Sequence, residues 1–582
     1  MKHLVLALVA VCGIAAVAGA QQATDAVAPE ASGARAKADD RPALAQDWMV
    51  VAAHPLASRA GADALAAGGT AADAMVAVQA VLGLVEPQSS GLGGGAFLVW
   101  HDAATGQTTT LDGRETAPLA ATPRLFQDAD GAPLPFFEAV VGGRSVGTAG
   151  TPALMAEAHR RWGRADWSGL LEPAIRLAED GFAVSPRLAA LVAGDAERLA
   201  VHPDTAAYFL PGGAPLVEGD TLRNPAYAAT LRILSEQGAN GFYTGPLAES
   251  IVAAVQGAAG NPGVLDMVDL AIYRVKERAP VCAPYRVWQV CGMGPPSSGA
   301  LAVGQILGKL QGHDLAALGP DNPESWRLIG DASRMAFADR GRYVADSDFV
   351  PVPVQGMLDP AYLQGRAALL AGEDALPEVT AGTPEFDHTL LWADGETLEQ
   401  PSTTHISIVD GYGNVLSMTS TIENAFGSRV MAGGFLLNNE LTDFSFRSHA
   451  DGVPIANRVE PGKRPRSSMA PTIVLRDDAP VLAIGSPGGS SIIGYVAQAL
   501  IAHLDWGMDV QEAVAMGHAL NRFGVYDLEE GTTAEALAAP LQAMGYEVKI
   551  GAQTSGLHAI AIGPDGLQGG ADPRREGVAL GE

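Results

Sequence analysis

Apolar residues run unbroken from Met49 to Ala53, as in a buried strand, and then recur at helical spacing over Leu56 to Ala67 and Thr70 to Val85. Gly68-Gly69 parts the two helical stretches. The glycine run Gly91 to Gly95 leads into Ala-Phe-Leu-Val-Trp, an extended pattern, so it lacks the helix start that a phosphate-binding glycine loop requires. Helical spacing dominates from Pro152 to about Leu199 and again from Gly299 to Arg342. Periodicity then fades, and Pro377 to Ser402 reads as a polar, acidic linker. Beyond it the pattern predicts strands over Thr404 to Val409, Val415 to Thr421, Gly434 to Asn438, Pro471 to Arg476 and Pro480 to Ile484. Helices follow at Ile492 to His503 and Val510 to His518, and strands at Glu547 to Ile550 and His558 to Ile562. This order predicts an α+β fold with sheets flanked by helices on both faces, four layers in all.

With 582 residues, 48% hydrophobic and 18% charged, the chain can build several domains or one large layered one. Its 69 glycines imply many tight turns or close backbone approaches. A formal charge of −28 without any basic block removes the electrostatic term that a phosphate backbone needs, so nucleic acid is excluded as a partner. The acidity suits solubility in an exported compartment. Residues 1–20 have the layout of a secretory signal peptide: Lys2 and His3, an apolar run from Leu4 to Val17, and Ala18-Gly19-Ala20 before Gln21. That apolar core is too short for a membrane anchor, and Val11 before Cys12 is too bulky for a lipid-attachment site. The expected location is the periplasm or the medium, with 21–46 as a flexible mature N-terminus. The two remaining cysteines, Cys282 and Cys291, stand on short β-rich arms around a turn. Export permits a disulfide between them, the alternative being two reduced, half-buried thiols. With no histidine cluster or second cysteine pair nearby, neither a metal site nor a cofactor is expected.

The most informative chemistry lies where the linker ends. If the Ser402–Thr403 bond is cut, Thr403 carries a hydroxyl and a free α-amine on one residue, and that amine, with an ordinary pKa near ~8, can take the hydroxyl proton at neutral pH. Uncut, Thr403 is one more β-branched residue at a strand start. Downstream, Gly485-Ser486-Pro487-Gly488-Gly489-Ser490 follows an apolar strand and can aim backbone N–H groups at a developing oxyanion, or be an ordinary glycine turn. Ser467 and Ser468 could bind a carboxylate, and Glu440 and Asp443 could hold an ammonium group. Arg114, just past a strand, could clamp a carboxylate through both ends of its guanidinium. A basic turn, surface acids and a surface ion pair are the plainer readings of these three.

As a set, the elements resemble one family. The run from Thr403 to Asp410, the stretch Leu436 to Phe444, Arg464 to Thr472 and Gly485 to Gly489 look like small-subunit signatures of the γ-glutamyltransferases (γ-glutamyltranspeptidases). The likeness continues through Gly91 to Gly95, Arg114 and Pro295-Pro296-Ser297-Ser298-Gly299, ends near Ala571 to Arg574, and covers nearly the whole mature chain. It implies an N-terminal-nucleophile hydrolase with an αββα sandwich, made as a proenzyme. Cleavage between Ser402 and Thr403 would yield a large subunit, 47–402 behind its leader and N-terminal segment, and a small catalytic subunit, 403–582, which form a heterodimer. Thr403 would attack the side-chain amide of glutathione or another γ-glutamyl compound while Gly488 and Gly489 stabilise the oxyanion. Water, or the amine of an amino acid or peptide, would accept the acyl group.

By the same resemblance, Arg114, Ser467 and Ser468 match residues that bind the substrate α-carboxylate, and Glu440 and Asp443 match those that bind its α-amine. Thr421 matches a second threonine that bonds the nucleophile and assists maturation. Glu423 departs from the pattern, standing where better-known members carry an asparagine, although a carboxylate there can still pair with an ammonium. The loop between Asp443 and Ser467 is shorter than in relatives with a tyrosine-bearing lid and contains no tyrosine, which implies a more open site. Two readings compete: an acylase of the same fold acting on glutaryl side chains, as the related cephalosporin acylases do, and an exported binding protein without activity.

Overall fold

In the computed structural model, which describes residues 41–395 and 399–582, the apolar runs become strands of two seven-stranded antiparallel sheets. Before the Ser402–Thr403 bond the strands are β1 (Ala43–Ala45), β2 (Met49–Ala52), β3 (Gly95–Asp102), β4 (Gln107–Gly113), β5 (Lys276–Arg278), β6 (Val281–Tyr285) and β7 (Trp288–Gly292). After it come β8 (Thr404–Val409), β9 (Val415–Thr421), β10 (Thr472–Arg476), β11 (Ala479–Gly485), β12 (His558–Gly563), β13 (Gly566–Ala571) and β14 (Val578–Gly581). One sheet has the order β1-β13-β12-β11-β10-β7-β6, and the other β14-β2-β8-β9-β3-β4-β5.

The sheets stack face to face, and alternation along each central strand sends its side chains into two different cores. In β8, Val409 joins Met49, Val51, Val99, Ile473 and Ile560 between the sheets. Ile406 and Ile408 point the other way, toward α1 (Pro55–Ala66) and α2 (Ala71–Val85). The outer face of the first sheet is covered by α3 (Gly299–Leu310), α4 (Pro323–Tyr343) and α5 (Ile492–Leu504), with Val474, Leu482 and Ile484 in that core. The result is the predicted αββα sandwich. Each fully buried aliphatic side chain contributes about 1.5–3 kcal/mol, so a strand buried on both faces is strongly held in register.

Asp410, the last residue of the Thr403 run, ties the strand to its helix layer. Its Oδ2 accepts the Ala71 N–H at 2.9 Å at the start of α2, where Thr70 and Asp73 form a capping box. Cys282 and Cys291 lie directly opposite on β6 and β7 and are joined by a disulfide.

Three expectations need correction. Residues 1–40, with the expected signal peptide, lie outside the described residues, but the expected flexible segment 21–46 is ordered at its end, where Ala43–Ala45 pair with Leu567–Gly569. Gly434 to Asn438 is not a sheet strand: Phe435–Leu436 turn back on Met431–Ala432 in a small separate hairpin. The helix expected to reach His518 stops at Ala515, because Glu529 accepts the His518 N–H and draws Ala519–Asn521 into a strand with Tyr526–Leu528.

Candidate active site

Thr403 immediately precedes β8 and Thr421 ends β9. The register that opposes Thr404 to Ser420 therefore sets these two threonines side by side, their Oγ1 atoms 2.9 Å apart. Thr421 Oγ1 also accepts the Glu423 N–H at 2.9 Å. The backbone around Thr421 is packed so tightly that a side chain at Gly94 would meet the Thr421 carbonyl oxygen at 2.0 Å, which accounts for part of the Gly91 to Gly95 run.

At Thr403 the chain is strained. Its φ is 89°, a left-handed conformation that costs a β-branched residue about 1–3 kcal/mol. The strain is held from both sides of the residue. Arg575 Nη1 donates to the Thr403 carbonyl at 2.9 Å, and the N–H of Gly488 donates to the Ser402 carbonyl at 3.0 Å. Gly488 has a φ of 133°, open to glycine alone at no cost. A backbone donor is thus aimed at the carbonyl oxygen of the peptide bond that joins Ser402 to Thr403.

Nine of the ten residues singled out as catalytic or substrate-binding line one cleft of about 240 Å³, namely Arg114, Thr403, Thr421, Glu423, Glu440, Asp443, Ser467, Ser468 and Gly489. The tenth, Gly488, lines a neighbouring cleft that shares Glu399 and Gln400 with the first. Arg114 is fully buried and donates to Glu440, to Asp443 and to the carbonyls of Pro465 and Arg466. The guanidinium read as a carboxylate clamp thus holds the two acids read as ammonium ligands. Burial pushes the Glu423, Glu440 and Asp443 carboxyls well above the carboxylate range, with neighbouring acids adding to the effect and Arg114 opposing it at Glu440 and Asp443. Asp443 Oδ1 and Glu440 Oε2 are buried without a hydrogen-bond partner among the described residues. The cluster is short of positive charge.

Ser467 and Ser468 are carried by a loop that the Pro295 to Gly299 motif supports. The Ser467 N–H donates to the Pro296 carbonyl at 3.0 Å, and the N–H and hydroxyl of Ser298 both donate to the Ser467 carbonyl at 2.7 Å. Arg340, from α4, donates to Ser468 Oγ and Ser298 Oγ, each at 2.8 Å, and pairs with Glu399. Glu423 Oε1 accepts the Gln400 N–H at 3.0 Å, and its other oxygen accepts from Asn439. Sequence reasoning missed Arg340, Glu399 and Arg575. Arg340 stands in an ordinary helical pattern, whereas Arg575 directly follows the Ala571 to Arg574 stretch and was within reach.

No residue of 446–463 lines the cleft; within that segment Phe446 stacks on Phe126 at 4.7 Å, and Asn457 Nδ2 donates to the Asp443 carbonyl at 2.7 Å. The site is nonetheless closed. Glu399, Gln400 and Ser402, at the end of the expected linker, are buried, and Thr403 is only 4% exposed.

Comparison with known proteins agrees with this geometry. The family described as Gamma-glutamyltranspeptidase matches residues 57–582. The chain is 38% identical over 553 residues to the glutathione hydrolase proenzyme of Bacillus subtilis (strain 168), covering 92% of each. It is 36% identical to the acylase ACY 1 proenzyme of Pseudomonas sp. (strain V22), covering 93% of this chain and 95% of that one. Among solved structures, the cephalosporin acylase from Bacillus halodurans superposes with a TM-score of 0.83 at 26% identity, covering 96% of this chain and 99% of that one. The gamma-glutamyltranspeptidase of Helicobacter pylori superposes with a TM-score of 0.56 at 35% identity, covering 61% of this chain and 100% of that one.

Proposed function

The chain belongs to the gamma-glutamyltranspeptidase family of enzymes, and we propose that it is an exported proenzyme that cuts itself between Ser402 and Thr403 and then hydrolyses or transfers γ-glutamyl groups. The observation that carries this reading is the Gly488 N–H at 3.0 Å from the Ser402 carbonyl oxygen, beside a Thr403 held at positive φ. In the first step Thr403 Oγ1 adds to the Ser402 carbonyl carbon, and Gly488 receives the oxyanion. Collapse breaks the C–N bond, moves the acyl group to the oxygen and gives the proton to the Thr403 nitrogen, with relief of the backbone strain. Water hydrolyses the ester and leaves Ser402 as a carboxylate and Thr403 as a free N-terminus.

The same donor then serves the second reaction. The Thr403 α-amine takes the hydroxyl proton, the oxygen attacks the γ-amide carbon of the substrate, and the proton passes to the departing amine. Water or another amine releases the acyl group. Ser467 and Ser468, and Arg114 once it exchanges partners, would meet the α-carboxylate, while Glu423, Glu440 and Asp443 would meet the α-amine.

A glutaryl acylase is the second reading, favoured by the likeness to the acylase ACY 1 proenzyme and the cephalosporin acylase. A glutaryl group has no α-amine, so Glu440 Oε2 and Asp443 Oδ1 would stay without a donor, at about 1–3 kcal/mol for each buried group left unpaired. Mass spectrometry of the purified protein tests cleavage, with a new N-terminus at Thr403 expected and a single uncut chain in Thr403→Ala. Rates on γ-glutamyl and glutaryl anilides test the substrate, and equal rates on the two refute the preference.

A further inference from the structure

We propose that Arg466 is a positioning residue for the substrate carboxylate: it seats Arg340 against Ser468 and adds a further positive charge beside the serine pair. The proposal rests on the γ-glutamyl reading above and names a residue that this reading leaves unused. A basic turn, the plainer reading of this stretch, would leave Lys463, Arg464 and Arg466 in solvent, yet all three are buried. Lys463 is paired with Glu460, and Arg464 with Asp112. Arg466 is engaged differently: its Nη1 donates to the carbonyls of Arg340 at 2.8 Å and Val344 at 3.4 Å, where the last turn of α4 ends. The negative pole of the helix favours a cation there.

Arg466, Ser468 and Arg340 close a ring. Arg340 reaches from the end of α4 to donate to Ser468 Oγ and Ser298 Oγ, each at 2.8 Å, while its own carbonyl is held by the side chain two residues before Ser468. The main chain of Arg466 meets the other guanidinium of the site, because its carbonyl accepts from Arg114 Nη2 at 3.0 Å. One residue thus fixes both arginines. Glu399 shows how these surroundings treat a carboxylate in the uncut chain. Burial raises its pKa, but Arg340, Arg466 and a hydrogen bond with Ser468 outweigh burial and hold the group below the usual carboxylate range. Glu399 stands three residues before Ser402, so cleavage would put it near a new chain end. The α-carboxylate of a γ-glutamyl group would then take its place beside Ser468.

The test compares fully cut wild type, Arg466→Met and Arg466→Lys, with cleavage checked by mass spectrometry. The compounds are a γ-glutamyl anilide and the matching 4-aminobutyryl anilide, which keeps the amine but lacks the α-carboxylate. Both are measured as substrates, and the second also as an inhibitor of turnover of the first. Arg466→Met should raise KM for the γ-glutamyl anilide about tenfold with little change in kcat, while KM or Ki of the 4-aminobutyryl compound moves by less than about twofold. Arg466→Lys keeps the charge and can reach one carbonyl, so it should recover most of the lost affinity. Equal losses on the two compounds, or no loss on either, overturn the positioning role. Where Arg466→Met fails to fold or cut, the same comparison with Arg466→Lys decides, with a rise in KM of about twofold expected for the γ-glutamyl anilide alone. Absence of γ-glutamyl turnover in fully cut wild type overturns instead the γ-glutamyl reading beneath the proposal.

Discussion

Replacing Thr421 by valine removes one hydroxyl at nearly constant volume and tests whether that hydroxyl acts on the nucleophile. Two bonds are lost, the 2.9 Å contact with Thr403 Oγ1 and the 2.9 Å bond from the Glu423 N–H. The second leaves a buried N–H without a partner, a loss of about 1–3 kcal/mol in stability. The first bears on rate. A hydroxyl that donates to Thr403 Oγ1 while charge develops there is worth about 1.5–3 kcal/mol in the transition state, so self-cleavage should slow about 10- to 150-fold. The two effects separate if stability is measured by urea unfolding in a Thr403→Ala background, where no cleavage intervenes, and cleavage by the rate at which the full-length band splits in two. Thr421→Ser keeps both bonds and should restore most of the rate. If Thr421→Val cleaves as fast as wild type while losing stability as calculated, Thr421 is merely a structural bond and the account of the nucleophile fails.

Breaking the Cys282–Cys291 disulfide by double substitution to serine, which opens a loop of 9 residues' separation, should cost about 2–3 kcal/mol while leaving γ-glutamyl turnover intact. Thermal melts with and without reductant check this. Lys309 is fully buried, its one hydrogen-bond contact among the described residues is with Gln305 at 3.5 Å, and burial lowers its pKa to about 7. The folded state binds its proton less tightly than the unfolded chain, so the penalty is full below pH 7 and fades as pH rises toward the ordinary lysine range. Lys309→Met should therefore stabilise by about 1–3 kcal/mol at pH 7 and by less at pH 10, as urea unfolding at the two pH values will show. Glu423→Gln removes a carboxylate from the proposed ammonium site and should raise KM for a γ-glutamyl anilide about tenfold, with a smaller effect on a glutaryl anilide; an equal effect on both counts against the ammonium role.

The layered fold was legible because two-faced burial leaves a strong mark: Met49 to Ala53 and Ala96 to Trp100 lack the polar alternation of a one-sided sheet. The residues around the nucleophile were legible for another reason, namely that each carries chemistry unusual for its local pattern, such as paired glycines after an apolar strand. What stayed hidden depends on contacts distant in sequence. Nothing local in α4 announces that Arg340 grips Ser468 and Glu399, and Asp410 shows its role as a helix cap only when Ala71 is brought to it. The pairing of Arg114 with Glu440 and Asp443 was unreadable for the same reason, although all three residues had been singled out. Helical spacing misled where a tertiary partner intervened, as at His518, whose N–H goes to the Glu529 side chain instead of continuing the helix from Val510.

Both sheets are braided from strands on either side of the Ser402–Thr403 bond: β8 and β9 lie between β2 and β3, and β10 to β13 lie between β1 and β7. A molecule cut at that bond would have no seam along which to part, since withdrawing either piece would strip both cores. Its assembly would nevertheless change kinetic order. Before the cut, folding is a first-order event within one chain; after it, any recovery from unfolding requires two chains to meet, at a rate set by their concentration. Dilution would leave the folded molecule intact yet make its unfolding a one-way passage, so the lifetime of the mature protein would be governed by how slowly it opens rather than by how readily it closes.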